Sequence, residues 1–310
     1  MLLQVLINHH DEPEETVAPL LRSLASQERV PWGEVEMLMC SDGTEHALSK
    51  GFIDSFGIPI RYRAIGHKGL CHARNVLMDE AEADYIMFCD CDDRFHSTLG
   101  IYRVLKAIGD VGTDIIAAPY EIESEHGFHT ERKDTIHVFS KAYRRSYLVD
   151  NGIRFPDDME TCGDMRFMWL AFNLDPTIAW TNESFYVWAD NPESVTRKST
   201  WHRVESYGKV MACYEGLYQE LLARGRDDLR DRLVAALFAM AYDHCHDERY
   251  TEAPTANVMY AEVDGLLGRH MDEYRDIGRD VKASALRERG MPDVDAMEEW
   301  VYNRNRTDVR

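Results

Sequence analysis

The sequence predicts an α/β chain: a mostly parallel, Rossmann-like sheet with helices on both faces, followed by a helical C-terminal region. Three observations predict it. Short apolar runs of strand length alternate with segments whose apolar residues recur at helical spacing. The strand-like runs are apolar almost throughout, the pattern of strands covered on both faces. From about Ser206 onward the periodicity is helical only.

Taken in order, Leu2 to Ile7 is a first strand. Pro13 and Glu14 then open a helix with Val17, Leu20, Leu21 and Leu24 on one face. Val35 to Cys40 is a second strand, stopped by Ser41-Asp42-Gly43, and Ile58 to Tyr62 is a weaker third. Gly69 to Ala83 reads as a helix with Ala73, Val76 and Leu77 inward. Tyr85 to Cys89 is a buried strand ending in Asp90-Cys91-Asp92-Asp93. Ile101, Val104, Leu105 and Ile108 mark another helix, and Asp114 to Pro119 another strand. Residues 120 to 200 are less regular and rich in aromatics. The predicted organisation is a sheet domain over 1–204 and a helical extension over 205–310. Ligands of such sheets bind beyond the carboxyl ends of the strands. Polar clusters occupy three of those ends: Asn8 to Asp11, Ser41 to Gly43, and Asp90 to Asp93.

Charge narrows the function. With 35 Lys and Arg against 55 Asp and Glu, the 310-residue chain carries a net charge of −20. Such a surface repels nucleic-acid phosphates and anionic lipid, which argues against a dedicated DNA-binding module. The seven cysteines, Cys40, Cys71, Cys89, Cys91, Cys162, Cys213 and Cys245, are odd in number and scattered, the usage of a reducing, cytoplasmic compartment. The opening MLLQVLINHHDEPEE has no basic start and no cleavage pattern, so it reads as a strand and not a signal peptide. No apolar run reaches the length of about 18 residues that a membrane span needs.

The segment FCDCDD, residues 88–93, carries the strongest chemical signal. An apolar strand delivers three carboxylates into one tight turn. Carboxylates that close repel unless a cation sits among them. Hard divalent ions take oxygen ligands and keep positions for phosphate oxygens. The pattern therefore suits a metal–diphosphate site, and equally a solvated acidic turn whose Asp92 or Asp93 caps a helix. Cys89 and Cys91 have no second pair, which argues against zinc there.

With these segments in hand, the chain resembles the GT-A glycosyltransferases of the family 2 type. The resemblance rests on VLINHHDE (5–12), MLMCSDGTEH (37–46), GLCHARN (69–75), MFCDCDD (87–93), NGIRFPDDMETCGDMRF (151–167) and FYVWADNPESVTRK (185–198), in that order along the chain. Residues 205–310 carry no pattern of that family.

The resemblance implies an inverting, metal-dependent transferase and assigns roles. His9, His10 and Asp11 fall on the first nucleotide-binding cluster, and Asp42 on the acid that pairs with the base. Arg74 falls where a basic side chain meets the diphosphate or donor sugar; the plain alternative is a surface Arg pairing with Asp79 or Glu80. Asp90 would contact ribose or sugar hydroxyls, and Asp92 would be the principal ligand of Mn²⁺ or Mg²⁺, with Asp90 beside it. Asp164 matches the catalytic base, which takes the acceptor's proton; as a plain alternative it caps a helix from Met165 to Phe172. Arg197 and His202 match a loop that serves the diphosphate or metal, with Lys198 nearby. Trp188 and Trp201 are candidates to stack on an acceptor sugar. The cluster Asp243 to Glu248 reads as a polar helix face, with metal binding the lesser alternative.

Three positions depart from the pattern. Gly163 replaces the Glu that precedes the base, Asn8 replaces a Pro, and Ser41 replaces the first Asp of Asp-Asp-Gly. The expected donor is a nucleotide sugar, with UDP-sugar the default. The acceptor is a glycan, a cell-surface polymer or a modified nucleobase, the last only if Lys133, Arg144, Arg145, Arg197, Lys198 and Arg203 gather at the cleft. A dimer through the helical tail is one role for that region. Two other readings compete: a non-catalytic sugar-nucleotide-binding protein, favoured by Gly163, and a nucleotidyltransferase, disfavoured by the acidic, glycine-free stretch after the first strand.

Overall fold

The computed structural model describes residues 1–45, 47–157, 159, 162–191, 200–247, 256–291 and 293–307, with backbone alone for 200–207, 256–258 and 305–307. Two compact units divide the chain, Met1–Asn191 and Pro192–Arg310.

The first unit opens as the apolar runs predict. Strand β1 (Leu3–His9), helix α1 (Glu14–Ala25), strand β2 (Val35–Asp42), the short helix α2 (Lys50–Asp54), strand β3 (Ile60–Ile65), helix α3 (Leu70–Glu80) and strand β4 (Tyr85–Asp90) follow one another. Then come β5 (Arg94–Phe95), α4 (Gly100–Val111), β6 (Ile115–Ala117), β7 (Tyr120–Ser124), β8 (Gly127–Glu131), β9 (Lys141–Arg144), α5 (Arg145–Asp150), α6 (Gly163–Asn173), β10 (Ile178–Trp180) and β11 (Tyr186–Trp188).

A seven-stranded sheet takes the order β10-β6-β9-β4-β1-β2-β3. Its β3-β2-β1-β4 half is parallel throughout. Strand β1 is central, and its Leu3, Val5, Leu6 and Ile7 are fully buried. The chain leaves β1 to pair β2 on one side and returns as β4 on the other, so a switch point opens beside Asn8. Register places Asn8 opposite both Asp90 and Cys40, and His9 opposite Ser41. The polar ends of three strands thus lie side by side.

Two features differ from the sequence-based expectation. Strand β9 runs antiparallel between β4 and β6. The irregular region also builds a second sheet, β5-β11-β7-β8, whose strands are too short to show a period. Asp93 caps no helix, since β5 follows it directly. Helix α6 starts at Gly163, with Cys162 in the cap position at φ +66°, so Asp164 lies in the first turn and is not the cap.

A buried ion pair fixes the approach to β9. Lys141 is 1% exposed, and its ammonium donates to Asp134 at 2.8 Å and to the His137 carbonyl at 2.8 Å. Asp134 also meets Nδ1 of His137 at 3.0 Å. Burial alone would raise the Asp134 carboxyl, but the His137 hydrogen bond and the Lys141 charge outweigh it and hold it well below the usual carboxylate range.

The second unit contains α7 (Thr200–Ala223), α8 (Arg230–His246) and helices Ala256–Asp276, Arg279–Arg287 and Val294–Thr307. Leu217, Leu221, Leu233, Leu237, Phe238, Val263 and Leu266 form its interior. Asp243 pairs with Arg289, and Nδ1 of His244 and of His246 each lie within 2.8 Å of the carbonyl one turn back, so these side chains of α8 are engaged within the protein; Glu248 lies outside the described residues. No described helix is long and apolar enough to cross a membrane.

Because Asp134 is depressed in the fold, its contribution to stability is complete above about pH 4 and is lost as pH falls through its folded value. Asp134→Asn is expected to cost about 3–5 kcal/mol at pH 7, by stranding Lys141, and to flatten the dependence of melting temperature on pH below about pH 4. Thermal melts of both proteins from pH 3 to 8 check this; parallel curves would contradict it.

Candidate active site

Arg74 projects from the buried face of α3, although Arg is a poor core residue. Cys71, Arg74 and Asn75 stand at i, i+3 and i+4 and share that face. Arg74 is 1% exposed. Its guanidinium donates to Asp90 at 2.8 Å, to Asp164, and to the side-chain oxygen of Asn8 at 3.4 Å, and it lies over the Phe155 ring. The alternative surface partners are taken: Asp79 by Arg154 and Glu80 by Arg63. Burial alone would lower the Arg74 pKa, but the charges of Asp164 and Asp90 outweigh it and hold the guanidinium protonated.

The acids of FCDCDD separate by environment. Asp90 is raised above the usual carboxylate range by burial, with Arg74 opposing and Asp164 and Asp92 reinforcing. Asp92 accepts from the Asn191 side-chain amide at 2.7 Å. Asp93 is buried beneath β11, accepting from the Tyr186 hydroxyl at 2.5 Å and the Ala189 N–H at 2.9 Å. Burial, then Asp90 and Asp92, push its carboxyl well up. The Tyr186 hydroxyl also accepts from the Asp90 N–H at 3.1 Å, tying the small sheet to the end of β4. Asp90 and Asp164 thus share one guanidinium, with the Asp92 carboxylate beside them bound, among the described residues, only by an amide, so the crevice is short of positive charge. Asp90 and Asp92 are the residues that could hold a hard divalent cation here, since such ions take oxygen ligands.

Asp164 receives Arg74 on one oxygen and the Val138 N–H at 3.5 Å on the other. Its place in the first turn of α6 suits a carboxylate. The missing Glu has a visible cause: a Cβ built on Gly163 would overlap Sγ of Cys71.

At the end of β2, buried Asp42 accepts from the N–H groups of Lys68 and Gly69, each at 2.8 Å. Gly69 allows this at φ +98°, a conformation that side chains disfavour. His67 reaches the same carboxylate at 3.0 Å, while Nδ1 of His10 lies 2.6 Å from the Asp42 carbonyl. The His10 and His67 rings stack at 4.6 Å. His9 is buried, its ring held by Ser41 and by the Glu12 carbonyl, so its nitrogens already have protein partners. Asp11 is exposed, 3.3 Å from His10.

The structure therefore gathers Arg74, Asp90, Asp92 and Asp164 at one crevice, with His10, Asp11 and Asp42 at the neighbouring strand ends. Trp188 is half-buried against His137, with ring centroids 5.2 Å apart. Arg197 and Lys198 lie outside the described residues, as do the side chains of Trp201, His202 and Arg203. Sequence reasoning missed His67, Asn75 and His137, and read Tyr186 only as a packing or stacking aromatic, without its hydroxyl's bonds to Asp93 and the Asp90 N–H. Asn75 binds both the N–H and the carbonyl of Phe155, which pins the segment before α6. The burial of Asn75 and Arg74 was signalled by their helical spacing from Cys71.

Comparison with known proteins fits this geometry. Residues 4–172 match the family described as Glycosyl transferase family 2, and the chain belongs to it. A curated relative is the poly(ribitol-phosphate) beta-N-acetylglucosaminyltransferase TarS of Staphylococcus aureus, 23% identical over 215 residues, or 64% of this chain and 37% of TarS. Another is the uncharacterized glycosyltransferase EpsJ of Bacillus subtilis, 24% identical, covering 59% of this chain and 58% of EpsJ. The chain thus spans little more than a third of TarS. Among solved structures, S. aureus TarS 1–349 with UDP superposes at a TM-score of 0.66 and 15% identity, covering 98% of this chain and 88% of that one. A mannosyltransferase of Pyrobaculum calidifontis with GDP-Man and Mn²⁺ superposes at 0.53 and 12% identity, covering 99% and 88%.

Substitutions at Arg74 and at the Gly163–Cys71 contact test the geometry. Arg74→Met leaves Asp90 and Asp164 without their shared cation and is expected to cost about 3–5 kcal/mol by urea denaturation. Arg74→Lys should still lose the bridge, because an ammonium lacks the planar fork. Gly163→Ala is expected to cost about 1–3 kcal/mol by overpacking, and Cys71→Ala in the same chain to restore most of it. Additive costs in that double-mutant cycle would contradict the overlap.

Proposed function

We propose that this chain is a metal-dependent inverting glycosyltransferase that moves a sugar from a nucleoside diphosphate donor to an acceptor hydroxyl. The observation that carries the reading is Arg74, which sets Asp90 and Asp164 on one guanidinium beside Asp92, at the switch point of the sheet.

Each residue then has a task. Asp42 and His10 receive the base, with Asp11 at the rim. Asp90 orients ribose or sugar hydroxyls. A Mn²⁺ or Mg²⁺ ion held by Asp92 and Asp90 would offset the charge developing on the departing diphosphate. Asp164 takes the proton of the acceptor hydroxyl as it attacks the anomeric carbon, and one in-line displacement inverts that centre. Arg197 and His202 are proposed to reach the diphosphate and metal, and Trp188 and Trp201 the acceptor.

UDP-sugar is the proposed donor, since S. aureus TarS was solved with UDP and with UDP-GlcNAc. The proposed acceptor is a glycan or cell-surface polymer. A nucleobase acceptor loses support because two members of the basic set lie elsewhere. Register sets Arg144 opposite Tyr85, at the far end of β4 from Asp90, and Arg145 follows it. Family membership leaves the nucleotidyltransferase reading without support. A catalytic domain over 1–204, a helical extension over 205–310 that dimerises, and a cytoplasmic setting complete the proposal.

The second reading, a sugar-nucleotide-binding protein without turnover, is favoured by one observation: Cys71 fills the space that a side chain at position 163 would need.

Donor hydrolysis over a panel of nucleotide sugars with Mn²⁺ separates the readings. The expected result is slow release of nucleoside diphosphate from one donor, abolished in Asp92→Ala. Asp164→Asn should lower transfer by about 10²–10⁴-fold while donor binding persists. Binding without release from any donor or acceptor would select the second reading. No binding with or without metal would sink both.

A further inference from the structure

Ligand atoms of transition-metal type converge at the end of β2. One ring nitrogen each of His10 and His67 and a carboxylate oxygen of Asp42 lie within 4.8 Å of one another. Among the described residues, this is the one group of three or more His, Cys, Asp or Glu side chains so arranged. The crowding is unusual in detail. Both Nδ1 atoms donate to the same carbonyl oxygen of Asp42, at 2.6 Å and 3.2 Å, and that of His67 also reaches the carboxylate, so a metal taken at Nδ1 would displace those protons.

The three groups differ in freedom. Asp42 is buried and clamped by the Lys68 and Gly69 N–H groups, so its oxygens are fixed. The two rings are exposed, with side-chain exposures of 47% for His10 and 64% for His67. They can rotate about their side-chain bonds without disturbing the core. Tetrahedral zinc, with bonds of about 2.0–2.1 Å, needs ligand atoms roughly 3.4 Å apart, so the rings would turn from their present bonds to the Asp42 carbonyl to bind it. Asp11 stands 3.3 Å from Nε2 of His10. With Nδ1 directed at Asp42, that carboxylate stands where a metal-bound histidine takes its outer partner.

We propose that His10, His67 and Asp42 form a binding site for a divalent transition metal of the zinc type, separate from the Asp90–Asp92 site, with Asp11 as its outer partner. Two imidazoles and one carboxylate select such an ion over Mg²⁺, which prefers oxygen ligands. Occupation uses a carboxylate oxygen of Asp42. Zinc and nucleotide therefore exclude one another, a consequence that rests on Asp42 holding the base.

The test uses the full chain, nucleotide-free, titrated with Zn²⁺ against a chromogenic zinc indicator in excess Mg²⁺. The expected result is one tightly bound zinc. His10→Gln and His67→Gln each weaken it by roughly 100-fold or more, and Asp11→Asn by about 10-fold. His126→Gln, which alters an exposed histidine, leaves it unchanged. X-ray absorption of the zinc-loaded protein should show two imidazole ligands. Unchanged zinc affinity in both His10→Gln and His67→Gln, or displacement by Mg²⁺, would overturn the site. Saturating UDP is expected to weaken zinc binding at least 10-fold. Zinc binding that the histidine variants abolish but UDP leaves untouched would keep the site and overturn its link to the nucleotide.

Discussion

A single buried guanidinium organises the crevice. Burying a positive charge is tolerated only when it is paired and hydrogen-bonded. Arg74 meets that demand with partners from three other elements: Asn8 at the end of β1, Asp90 at the end of β4 and Asp164 in the first turn of α6. Those partners stand 66, 16 and 90 positions away in sequence. The parallel register that sets Asn8 beside Asp90 is therefore also a condition for satisfying Arg74. The planar fork fixes the spacing between Asp90 and Asp164 as a point charge could not.

The acids of FCDCDD show how environment divides labour among identical side chains. Asp90 leans on Arg74, Asp92 on an amide, and Asp93 is sealed beneath Tyr186. Sealing Asp93 costs desolvation, which its raised pKa registers, and in return the small sheet is anchored to the tip of β4. A cluster that reads as one metal site in sequence is two groups facing the crevice and one holding the wall behind it.

The central sheet was legible because strands buried on both faces leave uninterrupted apolar runs, and their polar ends name the ligand crevice directly. Asp42, Arg74, Asp90, Asp92 and Asp164 were singled out through the order of short segments, and the fold sets Arg74 of α3 and Asp164 of α6 against Asp90 at the end of β4, with Asp42 at the end of β2. The rest was hidden for physical reasons. Strands of two to five residues, such as β5 and β7, carry no measurable period. The antiparallel course of β9 is set by tertiary pairing, which no local pattern encodes. The burial of Arg74 was visible in principle, but charge argued for the surface, and only its distant carboxylates reverse that argument. His67 was missed because its partner lies 25 residues away and its own surroundings look like a turn.

The reversed strand β9 has a consequence for how such a chain can change over time. The strand-end residues proposed to hold the donor, from His10 to Asp92, are all encoded before it. Asp164 and the His137–Trp188 pair come from that strand's approach and beyond. The β4–β9 pairing is thus a seam between an early block and a late one, joined across the crevice by Arg74. A contiguous stretch of coding sequence, from about residue 120 to 190, can diverge or take insertions while the donor half keeps its register. Novel acceptors would then be reached by drift within that block, provided Asp164 stays paired with Arg74 across the seam.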